Sequence, residues 1–210
     1  MTPTAESQRK PNPRGAGARL RDEIVEAATR LVENRADPSG ITLRGVAREA
    51  GITAPSIYGH FGNLDAVMDA VVDECFGRLS AGLEDTLPLY DDPVRRLRAL
   101  CRSYVSFGVG NPRLYRLLFS RDRPVEAGPV APKPVETMPG ARAFGLLVQA
   151  IDACVAAGRS ISIDPQGDAT LLWTALHGYV SLLHSVPDFP WPVSENLLDQ
   201  CAGRLACITP

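Results

Sequence analysis

The chain has 210 residues, 45% of them hydrophobic and 22% charged, and its formal net charge at pH 7 is −2. This length is enough for one large globular domain or two modest ones, each with its own core. No apolar run reaches the roughly 18 residues that a membrane span requires, and the first twenty residues are polar where a signal peptide would be apolar. We therefore expect a soluble, cytoplasmic protein with no membrane partner.

Positive charge is concentrated at the start of the chain. Residues 1–64 carry nine Lys and Arg against seven Asp and Glu, whereas the remainder carries thirteen against seventeen. We expect residues 1–18 to be a flexible basic arm that binds the phosphate backbone or a minor groove, with a solvated disordered tail as the alternative. The contacts predicted near this end of the chain are Arg9, Lys10, Arg14 and Arg19.

The cysteines form no CxxC pair and are scattered along the chain, at Cys75, Cys101, Cys154, Cys201 and Cys207. An odd, scattered set is unlike a disulfide framework or a zinc site. We expect buried, unpaired thiols, with a redox-sensing thiol as the alternative. No metal site and no cofactor are predicted.

The first third of the chain has the apolar spacing of four helices. Residues 19–35 repeat apolar side chains at helical intervals and are followed by turn residues. Thr42 is a suitable N-cap for a short second helix that ends at Gly51. Thr53 can cap a third helix that runs to His60 and has Pro55 in its first turn, and Asn63 can cap a long fourth helix.

The rest of the chain also shows helical periodicity. Asp92 and Asn111, each followed by proline, open helices that run to about residues 110 and 119. Residues 121–140 are rich in proline and are predicted to form an exposed loop. Helical patterns return at 141–158, 165–185 and 194–207, and no useful strand alternation occurs. The predicted fold is therefore all-α, with about nine helices.

Residues 42–61 have the spacing of a helix-turn-helix. Ala47 supplies the small side chain where two helices cross, Gly51 tolerates the positive φ of a tight turn, and Ile57 fastens the second helix to the first. This packing leaves the opposite face bare, so that Thr53, Ser56, Tyr58 and His60 point outward toward a major groove. Taken alone, the spacing also fits an ordinary corner between two helices of any helical protein.

The wider sequence resembles the tetracycline-repressor (TetR) family. The resembling segments are ITLRGVAREAGI at 41–52, SIYGHF at 56–61, and Gly62 with Asn63. The second half resembles the Trp-His-Gly (WHG) subgroup of that family, through NPRLYRLLF at 111–119 and Trp173, His177 and Gly178. The resemblance implies a DNA-binding domain at 19–64 and an effector-binding and dimerisation domain at 65–210.

The resemblance also implies roles for single residues. It places Thr53, Ala54, Pro55, Ser56 and Tyr58 in the groove. It places Thr42, Arg44, Tyr58 and His60 near phosphates, and we add Asn63 to this DNA-binding set. The chain departs from the family at two positions: family members often have a large side chain at Gly59 and usually a Lys at Leu64. With these contacts missing, we expect the basic arm to supply more of the affinity.

The second half shows no catalytic triad, phosphate loop or paired carboxylates, so we expect no enzyme. It does carry a surplus of apolar and aromatic side chains, which form either a packed core or a pocket for an apolar effector. His177 is either a structural histidine or a contact to that effector. The predicted pocket residues are Tyr104, Phe107, Tyr115, Phe119, Phe144, Leu147, Ile151, Trp173 and His177.

The last two helices have apolar faces broad enough to pack against a second copy, and in the family they form a four-helix dimer interface. The predicted interface residues are Leu172, Leu176, Val180, Leu183, Leu197, Leu198 and Leu205. A twofold dimer would place two recognition helices one turn apart on palindromic double-stranded DNA.

The resulting hypothesis is a homodimeric repressor. A small-molecule effector would tilt the helix from Asn63 to Leu83 and release the operator. The alternatives are a constitutive DNA-binding regulator without an effector, and a small-molecule-binding or enzymatic helical domain with a vestigial helix-turn-helix.

Overall fold

A computed structural model describes residues 16–34, 40–119, 134, 137–192 and 194–209. The predicted DNA contacts Arg9, Lys10 and Arg14 lie outside these ranges, as does most of the predicted loop at 121–140. Helix α1 already begins at Ala16, so residues 16–18 belong to that helix rather than to the predicted arm. The predicted arm was therefore too long by one turn, because α1 begins earlier than its apolar spacing indicated.

The all-α prediction is confirmed, since the described residues form nine α-helices and one short 3-10 helix at Leu87–Leu89. Within the same ranges, strand-like pairing is limited to one isolated bridge between Ser160 and Ile208. The α-helices are α1 Ala16–Asn34, α2 Leu43–Glu49, α3 Ala54–Ile57, α4 Leu64–Glu84, α5 Pro93–Gly110, α6 Pro112–Phe119, α7 Ala141–Ala156, α8 Pro165–Ser185 and α9 Ser194–Leu205.

Side-chain caps determine where several helices begin. Thr42 Oγ1 accepts a hydrogen bond from Gly45 N at 3.1 Å at the start of α2. Asn63 Oδ1 accepts from Ala66 N at 2.8 Å at the start of α4. Asp92 Oδ1 accepts from Arg95 N at 2.8 Å ahead of α5. Each bond satisfies a backbone N–H that the first helical turn leaves unpaired, and the three predicted helix starts are confirmed.

The chain divides into two compact units, with the boundary between Val71 and Val72 inside α4. The first unit has a small apolar core in which Ile24, Val46 and Ile57 are fully buried. No helix of the described ranges is long and apolar enough to cross a membrane, and no group of three potential metal ligands occurs among the same residues.

The second unit has the larger core, formed where α7, α8 and α9 pack on α5. Leu97, Leu100 and Ile151 are completely buried there. Cys75, Cys101 and Cys154 are buried, whereas Cys201 and Cys207 are half-buried. Cys101, Cys154, Cys201 and Cys207 are free thiols. Burial raises the pKa of the Cys101 thiol to about 12.

Candidate functional site

The turn between α2 and α3 is built by three residues that hold the two helices together. Gly51 has a φ of +68°, the left-handed region in which glycine is free of strain. The turn is closed by a hydrogen bond in which Ile52 N donates to the carbonyl of Ala47 at 2.9 Å. Ala47 and Ile57 are both buried, as the spacing predicted. The geometry is therefore that of a helix-turn-helix with a tight left-handed turn.

The face opposite Ile57 is open. Tyr58 is 62% exposed, Thr53 is exposed, and Ser56 and His60 are half-buried. Ala54 is half-buried and Pro55 exposed at the start of the same helix. A single helical turn thus presents hydroxyl and aromatic side chains outward from a buried anchor.

Two details of this face differ from the prediction. Helix α3 covers only Ala54–Ile57, and Tyr58 to His60 form a turn because His60 N and Phe61 N both donate to the Ile57 carbonyl. Thr53 occupies the N-cap position without capping through its side chain. Its hydroxyl instead lies 2.9 Å from the hydroxyl of Ser56, so these two side chains are oriented together.

Helix α2, which precedes this face in the chain, carries exposed arginines. Arg44 is exposed, and Arg48, one turn later on the same helix, is exposed as well. Arg48 was not among the predicted contacts, although its i, i+4 spacing from Arg44 could have identified it. Thr42 is also exposed, and its hydroxyl oxygen is shared with the cap of α2.

Helix α1 braces the helix-turn-helix through two contacts. Arg30 Nε donates to Glu49 Oε1 at 2.9 Å, which links α1 to the end of α2. The Arg21 guanidinium lies 4.9 Å from the centre of the Phe61 ring, within cation–π range. Arg19 pairs with Glu23 at 2.9 Å along α1. Of the basic residues predicted to contact DNA near the start of the chain, Arg19 is the one that the structure describes.

The second candidate site is a group of rings in the larger unit, which we call the aromatic cluster: Phe76, Tyr104, Tyr115, Phe119, Phe144, Trp173 and His177. Tyr115 stacks on His177 at 5.6 Å between ring centres, and Phe119 lies 4.3 Å from the same imidazole. The centre of the Trp173 ring system lies 6.4 Å from the centre of the Phe119 ring and 6.2 Å from that of Phe144.

Most of the predicted pocket residues belong to this cluster. Six of the nine lie in it. The cluster also contains Phe76, whose ring centre is 6.0 Å from that of Phe119 and which was not predicted. The other three, Phe107, Leu147 and Ile151, pack in the surrounding apolar core. Phe76 lies on α4 and Phe119 on α6, so the periodicity of either helix alone gives no signal for their contact.

A chain of hydrogen bonds runs through the aromatic cluster. Trp173 Nε1 donates to Tyr104 Oη at 3.2 Å, the two tyrosine hydroxyls are 2.9 Å apart, and Tyr115 Oη lies 2.8 Å from His177 Nδ1. Indole N–H can only donate. If each group donates toward His177, every hydrogen in the series has an acceptor. If the tyrosines donate in the opposite direction, the hydroxyl hydrogen of the buried Tyr104 has none, because the indole N–H cannot accept. We therefore assign His177 Nδ1 as acceptor and place its hydrogen on Nε2.

Burial keeps the polar groups of the cluster neutral. It lowers the pKa of His177 below its ordinary value of 6.5. It also raises the pKa of Tyr104 and of Tyr115, the latter further through the neighbouring Tyr104. A neutral imidazole can accept at Nδ1, as the assigned direction of the hydrogen-bond chain requires.

The predicted dimer residues separate into two groups. Leu172, Leu176, Val180 and Leu198 are 0–3% exposed and belong to the core of this chain itself. Their side chains are therefore not available to a second copy, and the prediction is corrected for these four. The other members, Leu183, Leu197 and Leu205, are half-buried.

Two family models match the chain. One, described as bacterial regulatory proteins of the tetR family, matches residues 24–71. The other, described as a tetracyclin repressor-like C-terminal domain, matches residues 97–200. Together they cover well over half of the chain and include both the helix-turn-helix and most of the larger unit.

Curated relatives match over a shorter stretch. The nucleoid occlusion factor SlmA of Aliivibrio fischeri is 26% identical over 114 residues, which is 52% of this chain and 53% of the relative. SlmA of Vibrio campbellii is 24% identical over 98 residues, 47% of this chain and 50% of the relative. The chain thus spans about half the length of these relatives.

Solved structures match along nearly the whole chain. A protein of unknown function from Rhodococcus sp. RHA1 has a TM-score of 0.73 at 24% identity and covers 94% of this chain and 97% of its own. A TetR family transcription regulator from Marinobacter aquaeolei VT8 has a TM-score of 0.64 at 16% identity, covering 93% of this chain and 100% of its own. At these identities the likeness establishes a shared fold.

Proposed function

We propose that this chain, which belongs to the tetR family of bacterial regulatory proteins, is a homodimeric repressor that a small-molecule effector releases from palindromic DNA. Members of the family are DNA-binding transcriptional regulators, and the fold is that of such regulators. The observation that best supports the proposal is the division of one helical turn, with Ile57 fully buried and Tyr58 62% exposed. The buried Ile57 fixes the helix in the domain, and the exposed side of the helix is free to contact bases.

The proposed base contacts come from the turn that begins at Thr53. The hydroxyls of Thr53 and Ser56 bond to each other and keep further donor and acceptor capacity, which suits base edges and phosphate oxygens. Tyr58 projects far enough to cover a thymine methyl or a sugar. Ala54 and Pro55 contribute small apolar surface between them, and His60 and Asn63 lie at the following turn.

The proposed phosphate contacts come from α2 and the start of the chain. Arg44 and Arg48 are exposed one turn apart, and each can neutralise one phosphate. Thr42 adds a hydroxyl at the helix start. The proposed share of Arg9, Lys10 and Arg14 rests on their charge in the sequence alone.

The DNA-reading part of the proposal is tested with duplexes selected from a random pool by the full-length protein. Fluorescence anisotropy then compares the wild type with Tyr58→Ala and with Phe189→Ala, a matched control that removes a ring 52% exposed in the other unit. We expect Tyr58→Ala to weaken binding at least about tenfold and Phe189→Ala to leave it unchanged. Equal binding by all three proteins would contradict the assignment of this face.

For the dimer we propose the stripe of α8 that the chain's own core leaves uncovered: Leu171, Thr174, Gly178 and Leu182. Leu171 is 57% and Leu182 48% exposed, and both lie on the same side of the helix. They lie on the side of α8 away from Leu172 and Leu176. Leu183 continues the stripe of Leu172, Leu176 and Val180 on the core side of α8, so it is not part of this surface. Leu205 packs against the chain's own core.

Sedimentation velocity tests this interface. Leu182→Asp should weaken self-association, because a carboxylate would be buried between two copies. Ile163→Asp is the matched control, since Ile163 is fully exposed on a loop outside the stripe. A wild-type protein that is monomeric at all concentrations, or equal loss of dimer in both variants, would overturn the proposal.

Effector release is proposed from the aromatic cluster and from α4, which contributes residues to both units. We infer that a ligand at the cluster changes α4 and so alters DNA binding. Operator binding is measured by anisotropy against a panel of small molecules. Affinity that changes with none of them would favour a constitutive regulator instead.

A further inference from the structure

One edge of the aromatic cluster is open to solvent. Trp173 is 36% exposed although its indole N–H bonds inward to Tyr104. Phe119, Phe144 and His177 are half-buried around it. Part of these rings is therefore accessible without any rearrangement of the buried tyrosines.

A single polar atom of this open edge is poorly satisfied. His177 Nδ1 is occupied by the Tyr115 hydroxyl, so the available hydrogen is the one assigned to Nε2. That nitrogen lies 3.5 Å from Ser181 Oγ, at the outer limit of a hydrogen bond. An acceptor on a bound molecule could replace Ser181 at a shorter distance. Ser181 is i+4 from His177 on α8, which is why the two side chains meet.

The hydrogen-bond partners that the structure describes at this site are uncharged. Every hydrogen-bond partner that the structure describes for Tyr104, Tyr115, Trp173 and His177 is itself uncharged. A charged ligand would lose its hydration here without gaining a counter-ion, which is strongly unfavourable. An uncharged ring would instead gain edge or offset contacts with Trp173 and Phe119.

We propose that the molecule recognised at this edge is an uncharged aromatic compound that packs against Trp173 and Phe119 and accepts a hydrogen bond from His177 Nε2–H. This inference rests on the proposed effector function, because it assigns the chemical class of that effector. It selects ketones, esters, ethers and phenols over carboxylates and amines.

The test uses Trp173 as reporter. Trp173 and Trp191 are the two tryptophans of the chain, and Trp191 lies outside the aromatic cluster against Tyr179 and Phe189. In a Trp191→Phe background, tryptophan fluorescence comes from Trp173 alone. Four probes of one size are titrated: acetophenone, ethylbenzene, benzoate and benzylammonium.

We expect acetophenone to change Trp173 fluorescence saturably and to bind about three- to tenfold more tightly than ethylbenzene, the value of one net hydrogen bond. Benzoate and benzylammonium should bind at least about tenfold more weakly than acetophenone. Tighter binding of either ion, equal affinity for ketone and hydrocarbon, or no saturable change with either neutral probe would overturn the inference.

Two variants locate the hydrogen bond. His177→Phe keeps a ring but removes Nε2–H, and should reduce the ratio between acetophenone and ethylbenzene to about one. Ser181→Ala keeps the histidine and removes its weak partner, so the ratio should stay at the wild-type value or rise. If His177→Phe does not fold, the ligand series and Ser181→Ala still decide, because a ratio of one in Ser181→Ala contradicts the assignment.

Operator binding is measured separately with the same probes. Acetophenone that saturates Trp173 while DNA remains bound would support the ligand class and refute effector release by this class of compound. Release of DNA by benzoate without any change at Trp173 would refute the ligand class and leave effector release standing.

Discussion

Gly108 on α5 occupies a place where any side chain would collide with α8 and α6. A Cβ built at Gly108 would lie 2.6 Å from Val180 Cγ1 and 3.1 Å from the Tyr115 ring. Val180 is fully buried, so it has little room to move. Overpacking of this kind costs about 1–3 kcal/mol, and the better helix propensity of alanine returns about 1 kcal/mol. Because a 2.6 Å approach to a buried methyl group belongs at the upper end of that range, about 2–3 kcal/mol, Gly108→Ala should lower the free energy of unfolding by about 1–2 kcal/mol.

The matched control is Gly77→Ala in α4, where a Cβ would meet nothing within 4 Å. There the propensity gain is unopposed, and stability should rise by up to about 1 kcal/mol. Adding Val180→Ala to Gly108→Ala removes the colliding methyl group, so the two changes should couple favourably by about 1 kcal/mol. Urea unfolding followed by tryptophan fluorescence measures five proteins: the wild type, Gly77→Ala, Gly108→Ala, Val180→Ala and the double variant. A Gly108→Ala protein as stable as the wild type, or strictly additive changes, would refute the packing described.

Three further predictions concern the turn, the imidazole and the thiols. Gly51→Ala should lower the free energy of unfolding by about 1–2 kcal/mol because of its left-handed backbone alone, since nothing lies within 4 Å of an added Cβ. Gly62→Ala, with the same free space and no positive φ, should leave stability nearly unchanged in the same denaturation assay. Because burial lowers the pKa of His177 below 6.5, the unfolded chain binds a proton at this imidazole more tightly than the folded chain does. Stability should therefore fall as the pH drops below about 6.5. Urea unfolding at a series of pH values that shows constant or rising stability would contradict this. Burial raises the pKa values of the Cys101 and Cys154 thiols to about 12 and 11, so both should resist alkylation at neutral pH until the protein unfolds. Rapid labelling of either thiol in the folded protein, measured by mass spectrometry, would contradict their burial in the core.

Local sequence signals were sufficient for most of the fold. Helix starts at Thr42, Asn63 and Asp92 follow from side chains that can accept a backbone N–H, and the left-handed turn follows from Gly51. These features depend on residues three or four positions apart. Such contacts are determined by the chain's own short-range geometry, so a sequence pattern can reveal them.

The candidate sites depended on contacts that a pattern does not contain. Tyr115 and His177 are 62 positions apart, and Trp173 and Tyr104 are 69 apart, so their hydrogen bonds require the packed unit. Helix α8 has leucines on two opposite sides, and periodicity alone does not indicate which side enters the core. The Leu172 stripe is buried, and Leu171 with Leu182 remains exposed. For that reason the interface prediction named residues of α8 that are buried in the chain's own core.

We propose above all that two copies of the helix-turn-helix bind one DNA site. Hydroxyl-radical footprinting of the full-length protein on a selected duplex tests it most directly. We expect two protected stretches related by a dyad, with centres about one helical turn, or about 10 base pairs, apart, and protection that weakens with rising salt. A single protected stretch, or no protection at any salt concentration, would contradict the claim.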